Sequence, residues 1–214
     1  AGRAAAGTLA GACALAVPGT STAAIDAFVR TDTARRGGRP SQLGYQGFPA
    51  AVCTSRNQVV CHGIPSPADV LRGGDILNID VTTCLQGYHG DTSRTVLVGD
   101  PSPDARHVVD VVERCLRAGI AAVRPGAPLG AVGAAIEALA TAEGCGVVRE
   151  YGGHGIGRSM HEAPHVHHVG PADAGPVLRV GMAFTIEPMI TLGDPAVRLL
   201  DDGWTVVTVD GRWT

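Results

Sequence analysis

A pair of helices joined through Pro-Gly occurs twice in these 214 residues, and each pair is followed by strand-like segments. Residues 1 to about 16 form an Ala-rich helix stopped by Pro18-Gly19. Thr20 or Ser21 then caps a second helix, with Ile25, Phe28 and Val29 on one face. Later, Val108, Val111, Val112, Cys115, Leu116 and Ile120 recur at helical spacing. Arg124-Pro125-Gly126 breaks the run, and Val132, Ile136 and Leu139 begin another.

The first pair closes in a loop, Arg35 to Pro40. Strand signals cover 51–54, 58–61 (around a Ser55-Arg56-Asn57 turn), 75–81, 92–98, 147–149, 182–191 and 204–209. The order α-α-β-β-β-β, then α-α-β-β-β, predicts an α+β fold. In it, internally duplicated α-α-β units pack helices on one curved antiparallel sheet, within a single domain over residues 1–214.

Composition narrows the class of function. All 17 cations are Arg and the net charge is −3, so nucleic acid is not an expected partner. The Arg35, Arg36, Arg39 group reads as a solvated loop. Six cysteines lie far apart without a C-x-x-C pair, which argues against a zinc knuckle or disulfide framework and for a reducing cytoplasm. No stretch is long and apolar enough to span a bilayer. The chain starts on Ala rather than Met, so it is expected to begin inside a larger reading frame.

Four acidic or imidazole side chains stand where chemistry is easiest to build. Asp80 ends an apolar strand and Asp91 opens the next, so in a hairpin tipped near Leu85 and Gln86 the carboxylates should face each other with Cβ atoms ~5 Å apart. Two like charges in that relation need a cation between them. His154 sits among Gly152, Gly153, Gly155 and Gly157, which leave the backbone free to approach a ligand. Glu187 follows an apolar strand and precedes Pro188, which holds it extended. Carboxylates with one imidazole suit hard or borderline divalent ions. His161-Glu162-Ala163-Pro164-His165 spells H-E-x-x-H, yet Pro164 forbids the helix that motif requires. His165, His167 and His168 therefore read as loop or core histidines.

These residues, with Leu43-Gly44-Tyr45, Asn57 to Pro65, Asn78-Ile79-Asp80-Val81, Tyr88 to Ser93, Gly153 to Gly157, His161 to Pro164, Thr185 to Pro188 and Asp202 to Thr205, resemble the type I methionine aminopeptidases of the pita-bread metallopeptidase fold. The resemblance runs along essentially the whole chain. It implies removal of the initiator methionine from nascent proteins by a cytoplasmic monomer, near the ribosome and away from membranes. It implies two divalent ions (Co, Mn, Fe, Zn or Ni) held by Asp80, Asp91, His154 and Glu187, with a hydroxide between them attacking the first peptide carbonyl. Glu187 would also shuttle the proton, His161 would stabilise the tetrahedral intermediate, and His62 would contact the substrate backbone. Tyr45, Phe48, Cys53, Met160 and Trp204, with His62 and His161, would form the substrate pocket.

Two departures from the family pattern, Gln46 and Met160, bear on substrate preference. A fifth ligand, a Glu in the family, is expected just past Thr214, so this stretch is expected to be a fragment missing both ends of a longer enzyme, with weak metal binding and little activity. An Xaa-Pro peptidase of the same fold and a peptide-binding module without catalysis stay as alternatives.

Overall fold

The computed structural model describes residues 1–214, and the two helical pairs are where the sequence puts them. α1 (Gly2–Ala14) and α2 (Thr22–Arg35) form the first pair, and the Ser21 hydroxyl caps α2 by accepting from Ala24 N. Next come β1 (Arg39–Pro40), a turn of 3-10 helix (Tyr45–Gly47), β2 (Cys53–Arg56), β3 (Val59–Cys61), β4 (Ile76–Leu85) and β5 (Tyr88–Leu97). The second pair is α3 (Pro103–Ala122), capped by Ser102, and α4 (Gly130–Ala142). It leads into β6 (Gly146–Val147), β7 (Gly153–Gly155), β8 (Glu162–Val166), β9 (Ile190–Thr191), β10 (Val197–Leu199) and β11 (Val206–Thr208).

Each half carries its own apolar core. Leu9, Ile25, Val29, Leu77, Ile79 and Val81 pack together in the first. Val108, Val111, Cys115, Val132, Ile136 and Ile190 pack in the second, with Ile76 reaching over from β4. Aliphatic side chains dominate both.

Several expectations are corrected. The ladder divides into four pieces: β1, β4, β2 and β5; β10, β11 and β3; β6 with β9; and β7 with β8. Residues 39–40 are a short strand against β4 rather than loop. Arg35 and Arg36 are not merely solvated, because both guanidinium groups close on the buried Asp32. The stretch 182–191 is strand only at its end; before that it runs beside β7 through Ile156 N to Ala183 O and Thr185 N to His154 O, until Pro188, which has no N–H to give, interrupts it.

The hairpin also differs in register. β4 and β5 are longer than expected, so Asp80 and Asp91 lie mid-strand. Gln86 and Gly87, both at positive φ, make the two-residue turn, which pairs Leu85 with Tyr88. That turn sets Thr82 opposite Asp91 and Ser93 opposite Asp80. The two carboxylates are diagonal neighbours on one face, within side-chain reach, rather than directly opposed.

Candidate active site

Every residue singled out in the sequence as a ligand, catalytic group or pocket wall lines one open cavity of about 700 Å³ at the seam between the halves. β4 and β5 supply Asp80 and Asp91, β7 supplies His154, the segment beside it supplies Glu187, and the loops supply the rest.

β7 is held between β8 and residues 183–185, and its glycines serve that packing. A Cβ on Gly153 would strike the Thr185 carbonyl, and one on Gly155 the Ala163 carbonyl. The expected close approach is therefore to neighbouring chain and not to a ligand. Only His154 between them carries a side chain, and it faces the cavity. Its Nδ1 lies 3.0 Å from Gly155 O, and since a carbonyl only accepts, Nδ1 carries the proton. Nε2 then points at Asp91 Oδ2, 3.6 Å away, and Glu187 Oε1, 3.5 Å away.

Asp80 is half-buried at the cavity wall, and desolvation, with Asp91 and Glu187 close by, pushes its carboxyl well above the usual range. Burial acts on Asp91 in the same sense, but His154, Asp80 and the Thr82 hydroxyl, which donates to Asp91 Oδ1 at 2.8 Å, outweigh it and hold Asp91 low. Glu187 is driven by burial up to about 7, although Thr185 Oγ1 donates to it at 2.5 Å. Burial lowers His154 less than the Asp91 carboxylate and Gly155 carbonyl raise it, so it rests above its ordinary value. Three carboxyls so close resist joint ionisation, and a divalent cation is the partner that removes the conflict.

The donor set fits such an ion. Metal–donor bonds of about 2.1 Å place neighbouring donors roughly 3.0–3.5 Å apart, close to the separations around His154 Nε2. The donors meet in pairs, and no three of them close into a ready-made cage.

Around this cluster stand neutral imidazoles. His161 is lowered to about 4 by burial and by His154, whose ring lies 4.1 Å from its own. Its Nδ1 is 2.8 Å from the Tyr45 hydroxyl. His62, lowered by burial, has φ 56, a conformation that non-glycine residues rarely adopt and that gathers at functional sites. Phe48 meets Trp204 edge-on at 5.1 Å, and with Met160, Cys53 and Tyr45 they form an apolar wall. β8 takes Glu162-Ala163-Pro164-His165 of the H-E-x-x-H run into an extended strand, which rules out the helical zincin arrangement.

Four contributors went unread in the sequence. Thr82 and Thr185 hold the carboxylates, and the buried His168 accepts from Glu187 N at 3.2 Å, so it is a core histidine that also positions the site. Gln42 reaches the main chain at Asp80. Isolated Thr and Gln carry no spacing signal; only the register reveals them.

Residues 1–209 match the profile of metallopeptidase family M24. Methionine aminopeptidase A of Synechocystis sp. is 51% identical over 195 residues, covering 91% of this chain and 77% of that protein. Further curated relatives are spanned over 62% and 64% of their length. The crystal structure of methionine aminopeptidase from Thermotoga maritima superposes with TM-score 0.98 at 37% identity, covering 100% of this chain and 86% of that one. The Xaa-Pro dipeptidase from Bacillus anthracis superposes at 0.74 with 24% identity over 97% of this chain and 58% of its own, a likeness of fold alone.

Proposed function

This chain belongs to metallopeptidase family M24, and from that premise we propose that it is a methionine aminopeptidase, releasing the N-terminal methionine of peptides and nascent chains. The proposal extends to a cytoplasmic monomer acting as chains leave the ribosome. The observation that supports it is the position of an apolar, sulfur-tolerant wall directly beside the carboxylate–imidazole cluster in one cavity. A peptide whose first side chain lies on that wall brings its first carbonyl to the cluster.

Asp80 and Asp91 would hold one divalent ion, and Asp91, His154 and Glu187 a second. Bound there, the ions supply Lewis acidity toward the carbonyl and lower the pKa of attacking water. The chain's own groups do the rest. Phe48, Trp204, Met160, Tyr45 and Cys53 hold the methionine thioether. His62 hydrogen-bonds the substrate backbone beside the scissile bond. His161, with Tyr45 against its Nδ1, presents Nε2 to the oxygen that gains charge. Glu187 accepts a proton and returns it to the leaving amine.

The test is methionine release by the full-length protein from Met-Ala-Ser and Met-Gly peptides with Mn, Fe or Co ion supplied, and none under chelation. Folded, metal-supplied full-length protein that leaves these peptides whole, or that cuts Xaa-Pro peptides in preference, would refute the reading.

A further inference from the structure

β5 runs along one full edge of β4, pairing every residue from Ile76 to Leu85. The opposite edge is shared. β2 covers Leu77 to Asp80 and β1 covers Thr83 and Cys84. Between them lies a gap that contains the residues on which the site depends. Asp80 stands at its lower lip, and Thr82, whose hydroxyl holds Asp91, stands inside it.

The main chain leaves the ladder here. Ser41 N donates to Thr82 O at 2.8 Å, and the backbone then turns into the 3-10 segment, with Tyr45 N bonded to Gln42 O. What fills the gap is a side chain. Gln42 is 6% exposed; its Nε2 donates to Asp80 O at 2.9 Å and its Oε1 accepts from Thr82 N at 3.3 Å. The same Nε2 lies 3.7 Å from Cys53 Sγ, at the end of β2. An amide is the one side-chain group with the donor–acceptor pair of a peptide unit. Of the two β4 groups it meets, Thr82 N lies in the uncovered stretch, and Asp80 O lies at the last pair of β2.

We propose that Gln42 is a positioning residue: its amide bridges the edge of β4 between the β2 and β1 pairings, donating to Asp80 O and accepting from Thr82 N, and so fixes the β4 backbone that carries Asp80 and Thr82. This rests on the metallopeptidase reading of the same cluster. The residue touches no reacting atom; it acts on Asp80, through the strand and beside the Asp80 carboxyl.

The test compares wild type with Gln42→Met, which keeps the length of the side chain and removes both hydrogen-bonding groups. Three readouts are expected to move together. Thr82 amide exchange speeds up at least tenfold, Mn(II) affinity measured by calorimetry falls by about tenfold, as for other outer-shell partners of metal ligands, and kcat on Met-Ala-Ser falls while KM holds. Unchanged Mn(II) affinity in a folded Gln42→Met protein overturns the proposal, and so does a rise in KM alone, which would make Gln42 a wall of the pocket only. If that variant does not fold, exchange in the wild type decides: a Thr82 amide as fast as a loop amide overturns the proposal, and one as slow as its β4 neighbours upholds it. Full-length wild type that neither binds Mn(II) nor releases methionine would refute the enzymatic reading instead, a distinct outcome.

Discussion

Thr185→Val separates how Glu187 is held from whether it is present. Thr185 Oγ1 accepts from His154 N at 2.9 Å and donates to Glu187 Oε1 at 2.5 Å, so a single hydroxyl ties both candidate donors of the second half to one point. Valine keeps the volume and the β-branch, and therefore the extended backbone. Losing a hydrogen bond to a charged group costs about 1.5–3 kcal/mol, and stranding a buried N–H about 1–3 kcal/mol. The Glu187 side chain retains 32% of its exposure and can recover water, which cuts the first figure to its lower end. A total of about 2.5–4.5 kcal/mol follows. It should appear as a lower midpoint in urea at constant m, with a 10–100-fold loss of kcat/KM for Met-Ala-Ser, the range set by other outer-shell losses. Thr185→Ser should keep both. A Thr185→Val protein with lowered stability and full activity would refute the idea that the hydroxyl orients Glu187.

Asp91→Asn should abolish methionine release and weaken Mn(II) binding in calorimetry, since Asp91 alone faces both Asp80 and His154. Gly153→Ala should destabilise strongly, seen as a large drop in Tm, because the new methyl meets the Thr185 main chain and neither strand can retreat. Asp32 should shape the acid limb of stability. Burial raises its carboxyl, but Arg36, Arg35 and Thr8 outweigh that and hold it at about 2, below its unfolded value of 3.8. A depressed folded pKa means stability that is complete above pH 4 and is lost as pH falls toward 2. Asp32→Asn should flatten that limb in acid titrations followed by circular dichroism. It should cost about 1–2 kcal/mol at neutral pH, less than the full shift implies because Arg35 is 71% exposed.

Helix existence was legible throughout, since Pro18-Gly19 and Pro125-Gly126 stop helices by backbone sterics alone and Ser21 and Ser102 cap by a local bond. The ligand candidates were legible too, because carboxylates in apolar strands and a histidine among glycines are costly unless used. Register was not. Gln86-Gly87 read as turn residues, yet a tip set at Leu85-Gln86 instead of Gln86-Gly87 moves Asp91 from opposite Thr82 to opposite Asp80, and the positive φ at Gln86 decides between them. The supporting shell stayed hidden for the same reason: Gln42 meets Asp80 across 38 positions and Thr185 meets His154 across 31. The glycines around His154 were read as room for a ligand, whereas three adjacent strands of backbone needed that room.

The cavity lies at the seam of two separate apolar cores, with Asp80 and Asp91 carried by one half and His154 and Glu187 by the other. Each half is then an arm of a caliper, and the gap between the jaws follows how the arms pack far from the jaws. Gly119 on α3 shows the leverage: a Cβ there would sit 2.9 Å from Ile136 and 3.2 Å from Ile186, the immediate neighbour of Glu187. A methyl group on that helix would press on the side chain next to the carboxylate. Drift in the chemistry of such a molecule can arise at hinge and seam positions that no ligand ever touches.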